Sequence, residues 1–371
     1  MPDGKPPFRA DQVGSLLRPP ALKAAREKRE RGEIDAAALR AVEDECIVAA
    51  IARQEEVGLQ AITDGEYRRA FWHYDFLEGL PGVEGYDAER TGFSFKGATL
   101  KPRKVRVAGR LGNFGAHPML DHFRFVAAHT KRTPKMTIPS PSALHFRFGR
   151  EAVPEAIYPD WEAFYRDLGE AYRKAVRAFY DAGCRYLQLD EVYLAYLCDP
   201  EQRQNLSQRG FDPDDIIEHY IGMINAAVSG APDDMVMAMH LCRGNFRSTY
   251  VASGGYEPVA ERLFNDIRLK TYFMEFDTQR AGGFEPLRFV PKGKHVVLGV
   301  VTSKTGELEG KDAIKRRVEE ASRFVGLDQC CLSTQCGFAS TEEGNALTED
   351  QQWAKLRFVV ETAAEIWGSA G

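Results

Sequence analysis

The chain has 371 residues, of which 44% are apolar, and 49 basic side chains nearly balance 54 acidic ones, for a formal net charge of -5 at pH 7. Such a chain can build one large domain or two ordinary ones, and it has no long basic run that would follow a nucleic-acid backbone. Nowhere do 18 apolar residues follow one another, so we expect a cytoplasmic protein with no membrane span and no signal peptide. The seven cysteines, an odd number spread thinly, favour reduced thiols over a disulfide framework.

Eight short apolar runs alternate with longer amphipathic segments, a pattern that predicts parallel strands joined by helices. The predicted strands cover about residues 8–16, 59–65, 135–141, 185–191, 235–242, 271–277, 295–302 and 329–335. Eight strands in a chain of this length predict an α/β fold, a (β/α)₈ TIM barrel that forms a single domain over residues 1–371.

Good helix formers occupy several of the segments between these strands. The clearest examples are residues 21–32, 36–58, 161–183 and 312–326, and we expect glycines to end three of them, at Gly58, Gly183 and Gly326.

Residues 66–134 are too many for one helix and its connections. Within them TGFSFKG and RKVRVAGRLG alternate like the two arms of a hairpin, and AFWHYDFLEG is strongly aromatic. We therefore predict an inserted hairpin between the second and third strands. It either covers the barrel as a lid or is a surface excursion that packs its aromatic side chains onto the barrel.

His240 and Cys242 stand two residues apart at the end of the fifth predicted strand, in MAMHLCRGNF. Side chains at positions i and i+2 of a strand point to the same face, and barrel enzymes build their active sites at the carboxyl ends of the strands. The pair could therefore bind one metal ion, although a buried Cys or His more commonly just packs in the core.

Two further candidate ligands lie at the corresponding ends of later strands. Glu275 ends the sixth strand, in FMEFDT, and Cys336 follows the eighth, in STQCGF. Together with His240 and Cys242 they supply one nitrogen, two sulfurs and an oxygen, a set suited to tetrahedral zinc. Other roles stay open, since Glu275 could pair with an arginine and Cys336 could be an ordinary thiol.

A site of this composition indicates a particular chemistry. Two thiolates offset the charge of Zn²⁺, and zinc lowers the pKa of an incoming thiol so that it is a thiolate at neutral pH. The predicted reaction is therefore alkyl transfer to sulfur with zinc as the cofactor.

At this point the chain resembles the cobalamin-independent methionine synthases, which are 5-methyltetrahydropteroyltriglutamate–homocysteine S-methyltransferases, and specifically their zinc-bearing C-terminal barrel. The matching stretches follow the family order over nearly the whole chain: DQVGSLLRP, ITDGEYRR, KMTIPSPSALHF, YLQLDE, MHLCRGN, FMEFDT and STQCGF. The resemblance implies that His240, Cys242, Glu275 and Cys336 hold a catalytic Zn²⁺. It also implies methyl transfer to homocysteine, through a zinc-bound thiolate, in methionine biosynthesis.

The resemblance further implies a homocysteine site. In that family the backbone of an Ile/Val-Gly-Ser turn and two carboxylates bind the substrate, and the corresponding residues here are Val13, Gly14 and Ser15, with Glu66 and Asp190. Two carboxylates at the mouth of a barrel could hold an ammonium group, while backbone N–H groups hold a carboxylate. We therefore predict that Glu66 and Asp190 are substrate-binding and catalytic residues. A hydrogen-bonded pair that braces the loops is the structural alternative.

The sequence departs from that family in two respects. The full-length enzymes have a second, N-terminal barrel, so the methyl donor stays open between a folate, a methyl-corrinoid protein and a simpler methylated metabolite. The family also has a catalytic His after its seventh strand, where this chain has Thr302, Ser303 and Lys304. His145, after the third strand, is one candidate substitute, and a plain structural role is its alternative.

Two other functions are compatible with these residues. A barrel like the epoxyalkane:coenzyme M transferases would alkylate a different thiol, with Arg243 and Arg247 meeting its sulfonate. A carrier or regulatory barrel would bind zinc or a thiol without turnover. The sequence makes no prediction of the oligomeric state.

Overall fold

The structure is a computed structural model that describes residues 5–87 and 103–371. Its β-strands, in chain order, are β1 (Ala61–Ile62), β2 (Val83–Asp87), β3 (Arg103–Val107), β4 (Thr133–Pro134), β5 (Met136–Pro139), β6 (Tyr186–Asp190), β7 (Val236–Leu241), β8 (Thr271–Glu275), β9 (His295–Val301) and β10 (Cys330–Thr334). Its α-helices are α1 (Pro20–Glu30), α2 (Ala36–Glu56), α3 (Tyr74–Leu77), α4 (Pro118–His129), α5 (Trp161–Asp181), α6 (Tyr193–Tyr196), α7 (Pro200–Gln208), α8 (Pro213–Val228), α9 (Glu257–Asn265), α10 (Lys311–Ala321) and α11 (Glu349–Trp367).

The strands close into a barrel. Six parallel strands follow one another in the order β10-β9-β8-β7-β6-β5. Next to β5 the ring continues through β4, which pairs with β1, and the N–H of Lys135 donates to the carbonyl of Ile62 at 2.8 Å. On the other side Ala10 bridges to Leu332 of β10, and the N–H of Leu16 donates to Gly65 beyond β1 at 3.0 Å. The predicted TIM barrel is therefore confirmed.

The first two predicted strands are shorter than expected. Residues 8–16 contribute a single bridge at Ala10, and the second strand is only β1. Side chains replace the missing strand hydrogen bonds: Gln12 Nε2 donates to Ala61 O at 2.8 Å, and Gln54 Oε1 accepts from the N–H of Thr63 at 3.0 Å. Backbone at this edge of the barrel is thus satisfied without a regular strand ladder.

The predicted helices form, with one error at a helix end. Gly58 and Gly183 both have φ +100°, one residue beyond the cap of α2 and of α5, as the prediction requires. Gly326 does not end α10, which stops at Ala321. Backbone N–H groups after that point bond three residues back, as from Phe324 to Ala321, and this tighter turn closes the helix early.

The insertion between the second and third barrel strands contains an antiparallel hairpin. β2 pairs with β3 in a register that runs from Val83 opposite Val107 to Asp87 opposite Arg103. The segment TGFSFKG, predicted as one arm, lies outside the described residues, and the described partner of RKVRV is VEGYD. The apolar face of the hairpin, with Val83, Val105 and Val107, is buried in the main core.

Among the described residues, the apolar side chains form a main core outside the strands, a second cluster where α1, α2 and α11 pack, and a small one inside the ring. The inner cluster contains Val13, Tyr186, Ala238, Phe273 and Val297. These residues fill the barrel, so substrates can enter only above them, at the carboxyl ends of the strands. Among the described helices, none combines the length and apolarity needed to cross a membrane.

Candidate metal centre and substrate pocket

Three predicted metal ligands meet at the carboxyl end of the barrel. His240 is in β7 and Cys242 follows it, so their side chains share one face, and Cys336 follows β10. One ligand atom from each of the three lies within 4.8 Å of the others, and the two Sγ atoms are 3.8 Å apart. All three side chains are buried.

The donor set fits tetrahedral zinc. Two sulfurs that each lie about 2.3 Å from a tetrahedral zinc are about 3.8 Å apart, which is the separation found between Cys242 and Cys336. Neither ring nitrogen of His240 has a hydrogen-bond partner among the described residues, although the side chain is buried. A buried imidazole without a partner is costly, and a metal ion would remove that cost.

The charges of the three ligands also suit a cation. Contact with the Cys242 thiol, helped by His240, holds the pKa of Cys336 well below its usual value, whereas the same contact raises the pKa of Cys242. Burial would lower the pKa of His240, but the Cys336 thiolate and the carboxylate of Asp190 raise it above its usual value. Metal-ligating thiols must lose their protons, and the cluster already favours one thiolate.

Glu275 lies beside this cluster and is engaged elsewhere. Its Oε2 accepts from the backbone N–H of Arg243 at 2.6 Å, and its Oε1 pairs with the guanidinium of Arg280. Burial alone would raise its pKa, but Lys304, Arg280 and Arg243 together hold it below the usual value. The carboxylate is therefore an anion next to the cluster, and its role as a fourth ligand stays a prediction.

A pocket with about 460 Å³ of empty space opens above the cluster. Its walls bring together residues from six different barrel strands or the loops that follow them. The lining residues are Val13, Ser15, Glu66, Trp72, Arg147, Asp190, Val192, Tyr196, His240, Cys242, Gly244, Asn245, Cys336, Gly337 and Ser340. Most of the residues that were predicted as metal or substrate ligands thus face one cavity, whereas Glu275 does not line it.

Glu66 and Asp190 are the two carboxylates in this pocket. Thr137 Oγ1 donates to Glu66 Oε1 at 2.9 Å, Arg69 lies 3.6 Å from Oε2, and Oε2 has no hydrogen-bond partner among the described residues. Glu66 also has φ +60°, a strained conformation for a residue with a side chain. Gln188 Nε2 donates to Asp190 Oδ1 at 2.7 Å, and burial next to Glu66 raises the pKa of Asp190 to about 7. The two carboxylates are not hydrogen-bonded to each other, unlike the bracing pair of the structural alternative.

The turn at Val13, Gly14 and Ser15 forms one wall of the pocket. Gly14 has φ +140°, and a Cβ at this position would lie 2.8 Å from the side chain of Thr137, so only glycine fits. The turn is fixed by its carbonyl groups: Thr63 Oγ1 donates to Gly14 O at 2.7 Å, and the N–H of Phe338 donates to Ser15 O at 2.9 Å.

Sequence reasoning missed several residues of the pocket wall. Arg147 is buried, and its Nε donates to the hydroxyl of Tyr193 at 3.1 Å. Trp72 belongs to the aromatic segment of the insertion, and its backbone N–H donates to Ser340 O at 3.0 Å, which fixes the start of the insertion to the loop after Cys336. The only available signal was the aromatic run around Trp72, which the sequence interpreted as a lid or a packed excursion.

The residues considered as substitutes for the missing His have other surroundings. His145 does not line the pocket. It is fully buried among aromatic rings, its Nδ1 lies 2.8 Å from the hydroxyl of Tyr220, and burial lowers its pKa to about 3. Lys304 Nζ donates to Gly244 O and Asn245 Oδ1, both at 3.2 Å. The structural role proposed for His145 is therefore supported, and Lys304 braces the loop after Cys242.

The two arginines of the coenzyme M alternative do not face the pocket. The buried guanidinium of Arg243 donates to the carbonyls of Gly254 and Ala281 and lies over the ring of Tyr256, at 4.2 Å from the ring centre. Arg247 is exposed. Neither is among the residues that line the cavity.

The His/Cys/Cys cluster combines ligand types of a metal site with the end of the barrel where barrel enzymes build their active sites. The family model described as "Cobalamin-independent synthase, Catalytic domain" matches residues 8–365, and the chain belongs to this family. This family membership supports the prediction that the chain is an enzyme, namely a methyltransferase like the methionine synthases.

Individual relatives agree with this placement. YxjG of Bacillus subtilis is 50% identical over 365 residues, which are 98% of this chain and 96% of that protein. The methionine synthase of Pyrococcus abyssi is 24% identical over 88% of this chain and 84% of its own length. The crystal structure of a candidate vitamin-B12 independent methionine synthase from Listeria monocytogenes is 43% identical, with a TM-score of 0.78 over 98% of this chain and 99% of the other.

Proposed function

We propose that the chain is a zinc-dependent methyltransferase that methylates the thiol of homocysteine and so forms methionine. The observation that carries the proposal is the convergence of three features in one pocket at the barrel mouth. They are two thiols 3.8 Å apart, an imidazole with no hydrogen-bond partner in the part of the chain that the structure describes, and two carboxylates. The chain acts as a single barrel domain over residues 1–371, with an insertion at about residues 66–134.

His240, Cys242 and Cys336 would hold the zinc, with Glu275 as the fourth group beside them. Bound zinc supplies a positive charge that keeps an acceptor thiol deprotonated at neutral pH. The carboxylate of Glu275 is held in place by Arg243 and Arg280, so it stays charged and oriented whether or not an acceptor is present.

Glu66 and Asp190 would bind the ammonium group of the acceptor. Both are buried in the pocket wall, and among the described residues Glu66 Oε2 has no hydrogen-bond partner, which an ammonium group could supply. Gly14 allows the turn at Val13 to Ser15 to approach closely, so that its backbone can face the carboxylate of the amino acid. These contacts would orient the acceptor with its thiol toward Cys242 and Cys336.

The coenzyme M alternative has less support. A sulfonate needs a cation in the pocket, but the guanidinium of Arg243 donates to backbone carbonyls and Arg247 is exposed. The carrier alternative predicts the same pocket and differs only in turnover.

The test is a direct assay of methyl acceptors. Zinc-loaded protein would be incubated with L-homocysteine or with coenzyme M, and with a methylated folate, methylcobalamin or a small methyl onium compound as the donor. Mass spectrometry would detect the methylated thiol. We expect methionine with at least one donor, only when zinc is present, and no methylated coenzyme M. Product from coenzyme M alone would contradict the proposal, and homocysteine binding without turnover with any donor would favour the carrier.

A further inference from the structure

Arg147 is a positively charged side chain in the wall of the pocket. It follows β5 and the short turn Pro141–Leu144, and it is only 8% exposed. Its Nε donates to the hydroxyl of Tyr193 at 3.1 Å, and its Nη1 lies 3.5 Å from the hydroxyl of Tyr74. A guanidinium keeps its proton at neutral pH even when it is buried, so Arg147 is charged.

Two aromatic side chains line the same pocket. Trp72 is fixed through its backbone to Ser340, and Tyr196 is buried beneath the loop after Cys242. A Cβ on Gly244 would lie only 3.0 Å from the hydroxyl of Tyr196, so glycine permits the ring to sit there. Aromatic faces in a desolvated site attract positively charged ligands, including quaternary ammonium groups.

The groups that could protonate a leaving group are few in this pocket, and Asp190, whose pKa is raised to about 7, would be paired with the acceptor. Among the described residues that line the pocket, the only His is the candidate metal ligand His240, and none is a Lys. Its two carboxylates, Glu66 and Asp190, are assigned to the acceptor. A methyl donor that leaves without taking up a proton matches this arrangement.

The size of the cavity limits the donor as well. Its empty space of about 460 Å³ includes solvent at the open mouth, so the enclosed part is smaller. Acceptor and donor must share this space while the reacting atoms approach within about 3–3.5 Å.

We propose that the methyl donor is a small methyl onium carboxylate, that is, a sulfonium or quaternary ammonium compound with a carboxylate group. The carboxylate would pair with Arg147, and the cationic centre would lie against Trp72 and Tyr196. The inference rests on the proposed function and specifies its second substrate.

The reaction balances without a general acid. A lone pair of the acceptor thiolate attacks the methyl carbon, and the bond from that carbon to the onium sulfur or nitrogen breaks. The bonding electrons stay on the leaving atom, which becomes a neutral thioether or tertiary amine. The acceptor becomes a methyl thioether, and no proton is needed by either product.

The experiment compares donors that differ in the carboxylate with variants that differ in the arginine. Dimethylsulfoniopropionate and glycine betaine carry the carboxylate, and trimethylsulfonium lacks it. Each would be given to zinc-loaded protein with L-homocysteine, for the parent, Arg147→Met and Arg147→Lys. Arg166→Met, on the exposed side of α5 and away from the pocket, is the matched control. Calorimetry with homocysteine alone would establish that each variant is folded and binds the acceptor.

We expect at least one onium carboxylate to give methionine. Its KM should rise about 10- to 100-fold in Arg147→Met, less in Arg147→Lys and not in the control, with homocysteine binding unchanged. Trimethylsulfonium should be a poor donor in the parent and should not respond to the loss of Arg147.

Three results would overturn the inference. They are an unchanged KM for the carboxylate donors in Arg147→Met, equal use of trimethylsulfonium by the parent, and methionine formation from methylcobalamin or a methylated folate with none from any onium carboxylate. The last result would leave the proposed function intact. Failure to bind homocysteine in the presence of zinc would instead contradict the proposed function itself.

Discussion

Two buried histidines belong to the barrel, His145 in the loop after β5 and His240 in β7, and their surroundings differ. His145 is enclosed by aromatic rings, and its Nδ1 and Nε2 lie 2.8 and 3.3 Å from the hydroxyls of Tyr220 and Tyr165. His240 is equally buried, but neither of its nitrogens has a hydrogen-bond partner among the described residues. The comparison teaches that burial alone does not separate structure from function. A satisfied imidazole belongs to the core, whereas an unsatisfied one beside two thiols indicates a missing ligand.

The largest effect is expected from the cysteines around His240. Cys336→Ser should reduce bound zinc from about one per chain to about a tenth of that or less, because it removes a thiolate ligand that the two-sulfur site requires. The zinc content of purified, zinc-loaded protein would be measured by atomic absorption.

The control for this prediction is Cys330→Ala. Cys330 is fully buried in the main core and lies away from the pocket, so its loss should lower stability and leave zinc binding intact. Equal zinc contents in Cys336→Ser and the parent would contradict the claim that Cys336 binds a metal ion together with His240.

The next effect concerns Asp190, one of the two carboxylates that line the same pocket. Asp190→Asn should weaken homocysteine binding about 10- to 100-fold, because an amide cannot pair with an ammonium group as a carboxylate does. Calorimetry on zinc-loaded protein would measure this change.

Asp212→Asn is the matched control for Asp190→Asn. Asp212 caps the N-terminus of α8 by accepting from the N–H groups of Asp214 and Asp215, and the replacement should affect only stability. If both variants bind homocysteine as the parent does, the assignment of Asp190 to the acceptor is wrong.

A third effect is the pH dependence of stability that is caused by His145. The pKa of His145 is lowered to about 3, so between about pH 6.5 and pH 3 the unfolded imidazole binds a proton that the folded one does not. The contribution of His145 to the free energy of unfolding is therefore fully present above about pH 6.5, and it decreases as the pH falls below that value. The slope is about 1.4 kcal/mol per pH unit.

His145→Phe should remove that slope from the free energy of unfolding measured in urea between pH 7 and pH 5, at some cost in stability at pH 7. A parent and a His145→Phe variant with the same pH dependence would show that His145 titrates normally in the folded protein.

The smallest effect is expected from Lys304. Its ammonium group holds the loop after Cys242 through Gly244 O and Asn245 Oδ1, without facing the pocket. Lys304→Met should weaken zinc binding about tenfold, as the loss of groups that orient metal ligands does. A competition assay with a zinc chelator would measure it. A complete loss of zinc would instead place Lys304 among the groups on which the centre depends.

The sequence predicted the strands that carry the metal site more accurately than those at the seam of the barrel. The regular strands β5 to β10 coincide with short, continuous apolar runs, which can be recognised in the sequence. At the seam, the side chains of Gln12 and Gln54 make hydrogen bonds to the backbone in place of strand hydrogen bonds. No local sequence pattern predicts such contacts. The same limit applies to Gly326, since the tight turn after Ala321 depends on how the chain returns to the barrel.

Within the pocket, the sequence indicated residues whose chemistry is unusual for their position, such as His240 and Cys242 at a strand end. It did not indicate Arg147, because the aromatic residues around it in the sequence are not unusual. Only the structure shows that Arg147 lines the pocket. Nor could it show that the carboxylate of Glu275 is shared between Arg243 and Arg280, because both contacts are set by the fold of the loops.

The most direct test of the account is calorimetric titration of L-homocysteine into the zinc-loaded and the zinc-free protein. The account predicts binding of about one homocysteine per chain to the zinc-loaded form, and binding weaker by about 100-fold or more without zinc, because the thiol then has no cation to meet. Equal affinity for the two forms, or no binding to either, would contradict the claim that this pocket combines a metal centre with an amino-acid thiol site.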